Sequence, residues 1–232
     1  MADRRLFLKA MPLVITAALP SPARGEPDDK KDGKKKDTDE IGATEDLMRE
    51  HGVLNRILLI YEEGIRRLGA KGDIPPEVFR TSATLIRNFV EDYHERLEER
   101  FIFAAFEKKG QQLELVKVLR LQHDAGRALT DVILREAADN RFVKGKEELT
   151  DAIRSFIRMY RPHEAREDTV LFPALRKVVP AKEIEELGER FEKEEDRIFG
   201  EGGFEKTVEQ VVGIEKQLGI NDLDQFTPKV LK

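Results

Sequence analysis

Leu47-Met48-Arg49-Glu50-His51-Gly52-Val53-Leu54-Asn55-Arg56-Ile57-Leu58 opens a stretch whose apolar residues step by four and three: Leu47, His51, Leu54, Leu58, Tyr61, Ile65, Leu68. That alternation is the seam of a bundled helix, and a histidine stands inside it. Three more stretches repeat the pattern. Phe79, Ala83, Ile86, Val90, His94, Leu97, Phe101 form one stripe, and Val116, Leu119, His123, Gly126, Thr130, Ile133, Ala137 another. Leu149, Ile153, Phe156, Tyr160, His163, Glu167, Val170 form the last. The chain has four histidines, and each falls on the seam of a different helix.

Breakers at Gly69 to Pro76, at Gly110 and at Asp139-Asn140-Arg141 with Gly145 predict helices over 44–68, 76–108, 111–138 and 145–172. Short connections make neighbours antiparallel, so the fold class is all-α, an up-down-up-down four-helix bundle with additional C-terminal helices. His51 lies 17 residues before the expected end of the first helix, and His94 lies 18 after the expected start of the second. His123 and His163 match in the same way. At a rise of roughly 1.5 Å per residue, all four imidazoles reach a common level. Glu98 and Glu167, each four residues after a histidine, point the same way as that histidine and join the layer. His-x-x-x-Glu is a weak motif alone, because Glu is abundant here. The shared level carries the argument: four His and two Glu in an apolar bundle cost several kcal/mol in desolvation unless paired, and a metal is the natural partner. The candidate ligands are therefore His51, His94, Glu98, His123, His163 and Glu167.

Competing motifs are absent or incomplete. Ferritin-like bundles use Glu-x-x-His on two helices, and Glu91-x-x-His94 is the one such string at a seam histidine. The zincin string His-Glu-x-x-His is missing, since Glu follows four places after His94 and His163. With no cysteine, thiolate ligands, disulfides and iron-sulfur ligation by this polypeptide are excluded. A net charge of −5, with bases and acids interleaved along helix faces, argues against nucleic acid as a partner. No apolar run is long enough to span a bilayer, so stable membrane insertion of the mature protein is not expected.

The amino terminus reads differently. Asp3-Arg4-Arg5-Leu6-Phe7-Leu8-Lys9 resembles the twin-arginine export signal, with an apolar stretch from Met11 to Leu19 and a cleavage point at Ala23. Residues 1–23 are read as a signal peptide for the twin-arginine export machinery and 24–43 as a charged, unfolded linker. Residues 44–180 are the bundle and 181–232 a C-terminal helical extension packing on it. The expected location is exported, in the periplasm. Glu183 to Phe199 and Phe204 to Leu218 supply the extension's helices, with Glu192, Glu194, Glu195 and Asp196 read as a solvated acidic face. Near the metal level, Tyr93 and Tyr160 are expected, Phe101, Phe103 and Phe106 are expected to keep the site dry, and Pro162 to kink the fourth helix.

His51, His94-Glu95-Arg96-Leu97-Glu98, His123 and His163-Glu164-Ala165-Arg166-Glu167, with the flanking Tyr160-Arg161-Pro162 and Asp168-Thr169-Val170-Leu171-Phe172-Pro173, resemble the hemerythrin-like, or HHE cation-binding, family over roughly residues 44–180. The resemblance implies a bundle holding two non-heme Fe ions, bound by the histidines and bridged by the two glutamates. Oxygen-carrying members use a fifth histidine and an aspartate, whereas four His and two Glu are closer to the bacterial iron-sulfur cluster repair proteins and related sensors. Those repair proteins carry a cysteine-bearing domain that this chain lacks. The donor set suits iron and also Mn or Zn. The reading is a di-iron protein that binds or senses a small diatomic ligand (O2 or NO) or peroxide. Its alternatives are a di-iron oxidase or peroxidase, a nitrosative-stress repair-type protein, and an iron-storage or structural bundle.

Overall fold

The computed structural model describes residues 42–70 and 72–230. The expected signal segment and the expected linker as far as residue 41 lie outside the described residues. Ala43, read as the linker's last residue, is the first of helix α1, Ala43–Gly69. α2 spans 76–109 and starts at Pro76, where a missing N–H costs nothing. It ends at Gly110, whose φ of 66° is the left-handed stop that glycine takes without strain. α3 is Leu113–Glu136, and α4 spans 146–178. α5 and α6 are Ala181–Phe199 and Gly203–Leu218. Among the described residues there is no strand.

Each of the first four helices packs on its sequence neighbours, and α4 closes the ring against α1. The described secondary structure is all helical, and the first four helices form a closed bundle. α5 and α6 both lie against α1, where Arg56 clasps Glu215 with Nε and Nη2 at 2.8 and 2.5 Å. No described helix is long and apolar enough to cross a membrane.

Two expected seam positions are displaced. Val170 is 38% exposed, whereas Leu171 is fully buried. Phe101 is half-buried against Phe191 of α5, and Ile102 and Phe103 take its place in the core. The cause is local: Glu98–Phe103 and Glu167–Leu171 are π-helical turns, as is Ile86–His94. Hydrogen bonds from i to i+5 insert an extra residue, so a stripe extrapolated at 3.6 residues per turn falls one position short. Pro162 sits inside the regular α-helix Lys146–Arg166, and the departure from α geometry comes at Glu167 instead.

Candidate metal centre

The structure brings all six sequence-predicted ligands together. His51 and His94 come from α1 and α2, His123 and His163 from α3 and α4, and none of the four is more than 3% exposed. Glu98 and Glu167 are fully buried between the two pairs. Glu98 Oε2 lies 3.5 Å from Nε2 of both His94 and His123, and its Oε1 lies 3.9 Å from His51 Nε2. Glu167 Oε2 lies 3.4 Å from His51 Nε2 and 3.1 Å from His163 Nε2. Two overlapping groups of donors result: Glu98, His123, His163 and Glu167 form one, and His51, His94 and Glu98 the other. The π turns begin or end at His94, Glu98 and Glu167, so each irregularity of the helices sits at a ligand.

Every imidazole is oriented from behind by a residue outside the six candidate ligands. Nδ1 of His51 meets Asp168 at 2.8 Å, that of His94 meets Glu50 at 2.7 Å, that of His123 meets Glu99 at 3.1 Å, and that of His163 meets Gln122 Oε1 at 3.0 Å. An oxygen acceptor on Nδ1 assigns that nitrogen the proton and leaves the Nε2 lone pair facing inward, the arrangement of metal-ligating histidines. Phe172 stacks on His51 at 5.7 Å and Phe103 on His123 at 5.3 Å, covering the layer. Each phenylalanine is five residues after a glutamate ligand, and the π turn swings it onto the imidazole. Tyr160 lines the site 5.4 Å from His163. Tyr93 is buried one layer back, beside Glu50 and edge-on to Phe199 of α5.

The residues fit a cation on three counts. His123 Nε2 and His163 Nε2 face each other at 3.2 Å. With both Nδ1 atoms donating, these are two lone pairs in contact, which repel unless a positive ion lies between them. Two nitrogens bound in cis about 2.1 Å from one metal are separated by about 3 Å, so the spacing is already that of ligands. All four oxygens of Glu98 and Glu167 are buried without a well-aligned hydrogen bond, which a protein tolerates where an ion satisfies them. Electrostatics agrees. Burial first, and then the neighbouring Glu167, hold the Glu98 carboxyl well above the usual carboxylate range, while His163 and His51 outweigh burial at Glu167 and hold it below. Without a cation the pair does not carry both charges.

Burial pushes His123 down to about 4 and His94 well below its ordinary value. At His51 burial acts the same way, but Asp168 and Glu167 outweigh it and raise the ring well above that value. Glu50 is pushed up to about 8 by burial and by Glu195, and its carboxyl lies 2.7 Å from His94 Nδ1. Glu195, read from sequence as part of a solvated acidic face, is fully buried and accepts the backbone N–H of Phe204. It lies against α1 because α5 packs there, a contact that composition does not reveal.

Comparison with known proteins points the same way. The family described as Hemerythrin HHE cation binding domain matches residues 42–175 and, overlapping them, 114–209. Proteins of Mycobacterium tuberculosis (strain ATCC 25618 / H37Rv) and Mycobacterium bovis, each named only "Uncharacterized protein", are 50% identical to this chain over 211 residues, 90% of this chain and 81% of theirs. No solved structure matches. The chain belongs to the hemerythrin HHE cation-binding domain family and is a metal-binding helical protein, with His/Glu clusters that could hold a metal.

Proposed function

We propose that the protein holds a non-heme di-iron centre that binds or senses a small ligand, with His51 and His94 serving one ion, His123 and His163 the other, and Glu98 and Glu167 placed between them. The observation that carries this reading is the pair of donor groups sharing Glu98, since one ion does not use imidazoles on both sides of two buried carboxylates. Bound iron would supply open coordination positions and a redox couple. The protein's own part is to aim four Nε2 atoms through their Nδ1 partners, to cover the layer with Phe103 and Phe172, and to exclude bulk water.

Size favours a small ligand over an organic substrate. The ligands, with Leu54, Val90, Glu95, Tyr160 and Glu164, close tightly around a gap far too narrow for an organic molecule. The decisive experiment is metal analysis with an optical spectrum before and after oxygen and nitric oxide. Two irons per chain and a ligand-dependent spectrum are expected. One ion per chain, or zinc alone after anaerobic iron loading, overturns the di-iron assignment. The amino-terminal string supports export through the twin-arginine route to the periplasm, tested by sequencing the mature amino terminus for cleavage after Ala23.

A further inference from the structure

The two halves of the bundle carry the same string around their ligands, His94-Glu95-x-x-Glu98 and His163-Glu164-x-x-Glu167. Glu95 and Glu164 occupy equivalent places, both are buried, and both line the internal space. Their surroundings differ. Glu95 Oε1 accepts the Tyr160 hydroxyl at 2.6 Å, and its Oε2 lies 2.7 Å from Arg127 Nη2. Tyr160 reaches it because Gly126 leaves room: a Cβ there would lie 2.1 Å from the tyrosine oxygen. Arg127 stands four residues after His123 and Tyr160 three before His163. The matching positions of the other half are Asn55 and Glu91. Asn55 donates to Glu164 Oε2, while Glu91 turns away to Thr130 and Arg87. Glu164, 3% exposed, is left with Oε1 unpaired.

An unpaired buried carboxyl oxygen costs about as much as a lost hydrogen bond to a charged group, so its persistence beside the ligands calls for an occupant. Glu164 belongs to neither of the two donor groups formed by the six ligands. It lies over α1, held by Asn55 one turn beyond His51, and so on the His51/His94 side of the centre.

We propose that Glu164 is the hydrogen-bonding contact for the exogenous ligand on the His51/His94 side, and that the ligand it selects is a peroxide. This rests on the di-iron reading above. A molecule with an O–H and oxygen lone pairs on neighbouring atoms pairs with a carboxyl oxygen as donor or acceptor, and a peroxide is among the smallest that do. Dioxygen and nitric oxide bring no proton. Glu95, tied to Tyr160 and Arg127, closes the other side.

The test uses the iron-loaded full chain and the variants Glu164→Leu and Glu164→Gln. Iron per chain is measured first. Then the rate of the optical change on mixing with hydrogen peroxide and the affinity of the reduced protein for nitric oxide are measured on the same samples. All three proteins are expected to hold two irons. The peroxide rate should fall about tenfold in Glu164→Leu, as expected for one hydrogen bond to a charged or polar partner, and recover most of the way in Glu164→Gln, with nitric oxide affinity unchanged. Should Glu164→Leu not fold, Glu164→Asp, which withdraws the oxygen by one methylene, is expected to show the same fall. An unchanged peroxide rate, an equal loss of nitric oxide affinity, or loss of iron from the variants alone overturns the inference, as does a wild-type protein with two irons and no response to peroxide. Fewer than two irons in the wild type overturns the di-iron reading itself.

Discussion

The half of the bundle made by α1 and α2 and the half made by α3 and α4 agree at every ligand and at most of the residues behind the ligands. Glu50 precedes His51 and serves His94; Gln122 precedes His123 and serves His163. Glu99 and Asp168 each follow a glutamate ligand and serve a histidine of the opposite half, and Phe103 and Phe172 cover those same histidines. The halves part company where metal geometry no longer dictates the residue: Gln122 against Glu50, Arg127 against Asn55, Tyr160 against Glu91. On the di-iron reading, coordination would constrain the six ligands, and the layers behind them are free to make the two sides of the cavity unlike.

The sharpest way to break this symmetry is at the bridging positions. Glu98 and Glu167 each approach histidines of both halves, so Glu98→Ala and Glu167→Ala should each lose more than one of two ions, whereas His51→Ala removes a donor from one side and should retain about one. Metal content and magnetic coupling measured together check it. Mild, equal losses in all three variants would mean terminal rather than shared glutamates, and unequal losses for the two glutamates would mean the halves differ already at the ligands.

Next in size is removal of the metal altogether, which leaves two halves docked through uncompensated carboxyls. At a free metal concentration of a hundred times the dissociation constant, binding to the native state adds about 2.7 kcal/mol. For a chain of this size that is about 5–10 °C in Tm. The pH dependences should also oppose each other. In the metal-free fold Glu50, Glu95 and Glu164 stand at about 8 against 4.5, chiefly through burial, so between those values the folded chain holds protons that the unfolded one has released. His51, raised by Asp168 and Glu167 against its burial, acts in the same direction above 6.5. Stability of the apo protein therefore falls as pH rises from 6.5 to 8. His123, at about 4, works the other way only below 6.5. Metal competes with protons, so the holo protein should gain over the same window and shed metal on acidification. Melting curves of both forms at pH 6.5 and 8 decide the matter; slopes of the same sign would refute it.

Exchanging the partners behind the histidines should do less. Asp168 is part exposed, so Asp168→Asn is expected to fold normally while weakening iron binding by about tenfold, the low end for such partners. Because an amide already serves His163, Glu50→Gln at the equivalent place should keep both ions. An iron titration of the two variants sharpens how far the halves are interchangeable, and loss of an ion from Glu50→Gln would show that they are not.

The helices and the six candidate ligands were legible because seam spacing and helix lengths put four histidines at one height. The orienting partners were not, since Glu50, Glu99, Gln122 and Asp168 look like surface polar residues when each helix is read alone. Aligning the halves finds them: each stands next to a ligand in both repeats. Val170 and Phe101 were misplaced because nothing in a 3.6-residue period announces a π turn, although glutamate ligands followed five residues later by Phe103 and Phe172 mark both. Glu195 escaped because its burial depends on α5 lying against α1, a contact between segments far apart in sequence.

The smallest expected effect concerns that contact, the one large asymmetry outside the metal layer. α5 and α6 cover α1 and leave α3 without an equivalent cover. Arg56 of α1 meets Glu215 of α6 through two parallel bonds, with the arginine one-third exposed and the glutamate 10% exposed. Exposed ion pairs contribute roughly 0.2–1 kcal/mol, and bidentate geometry with partial burial places this one near the top of that range. Arg56→Ala should therefore lower Tm by about 2–4 °C in apo and holo protein alike. Arg56 lies five residues beyond His51 and touches no ligand, so iron content should not change. Equal shifts in both forms would establish that the C-terminal helices clasp the bundle independently of the centre. A shift confined to the holo form would show instead that the clasp positions α1 for His51, joining the two asymmetries into one.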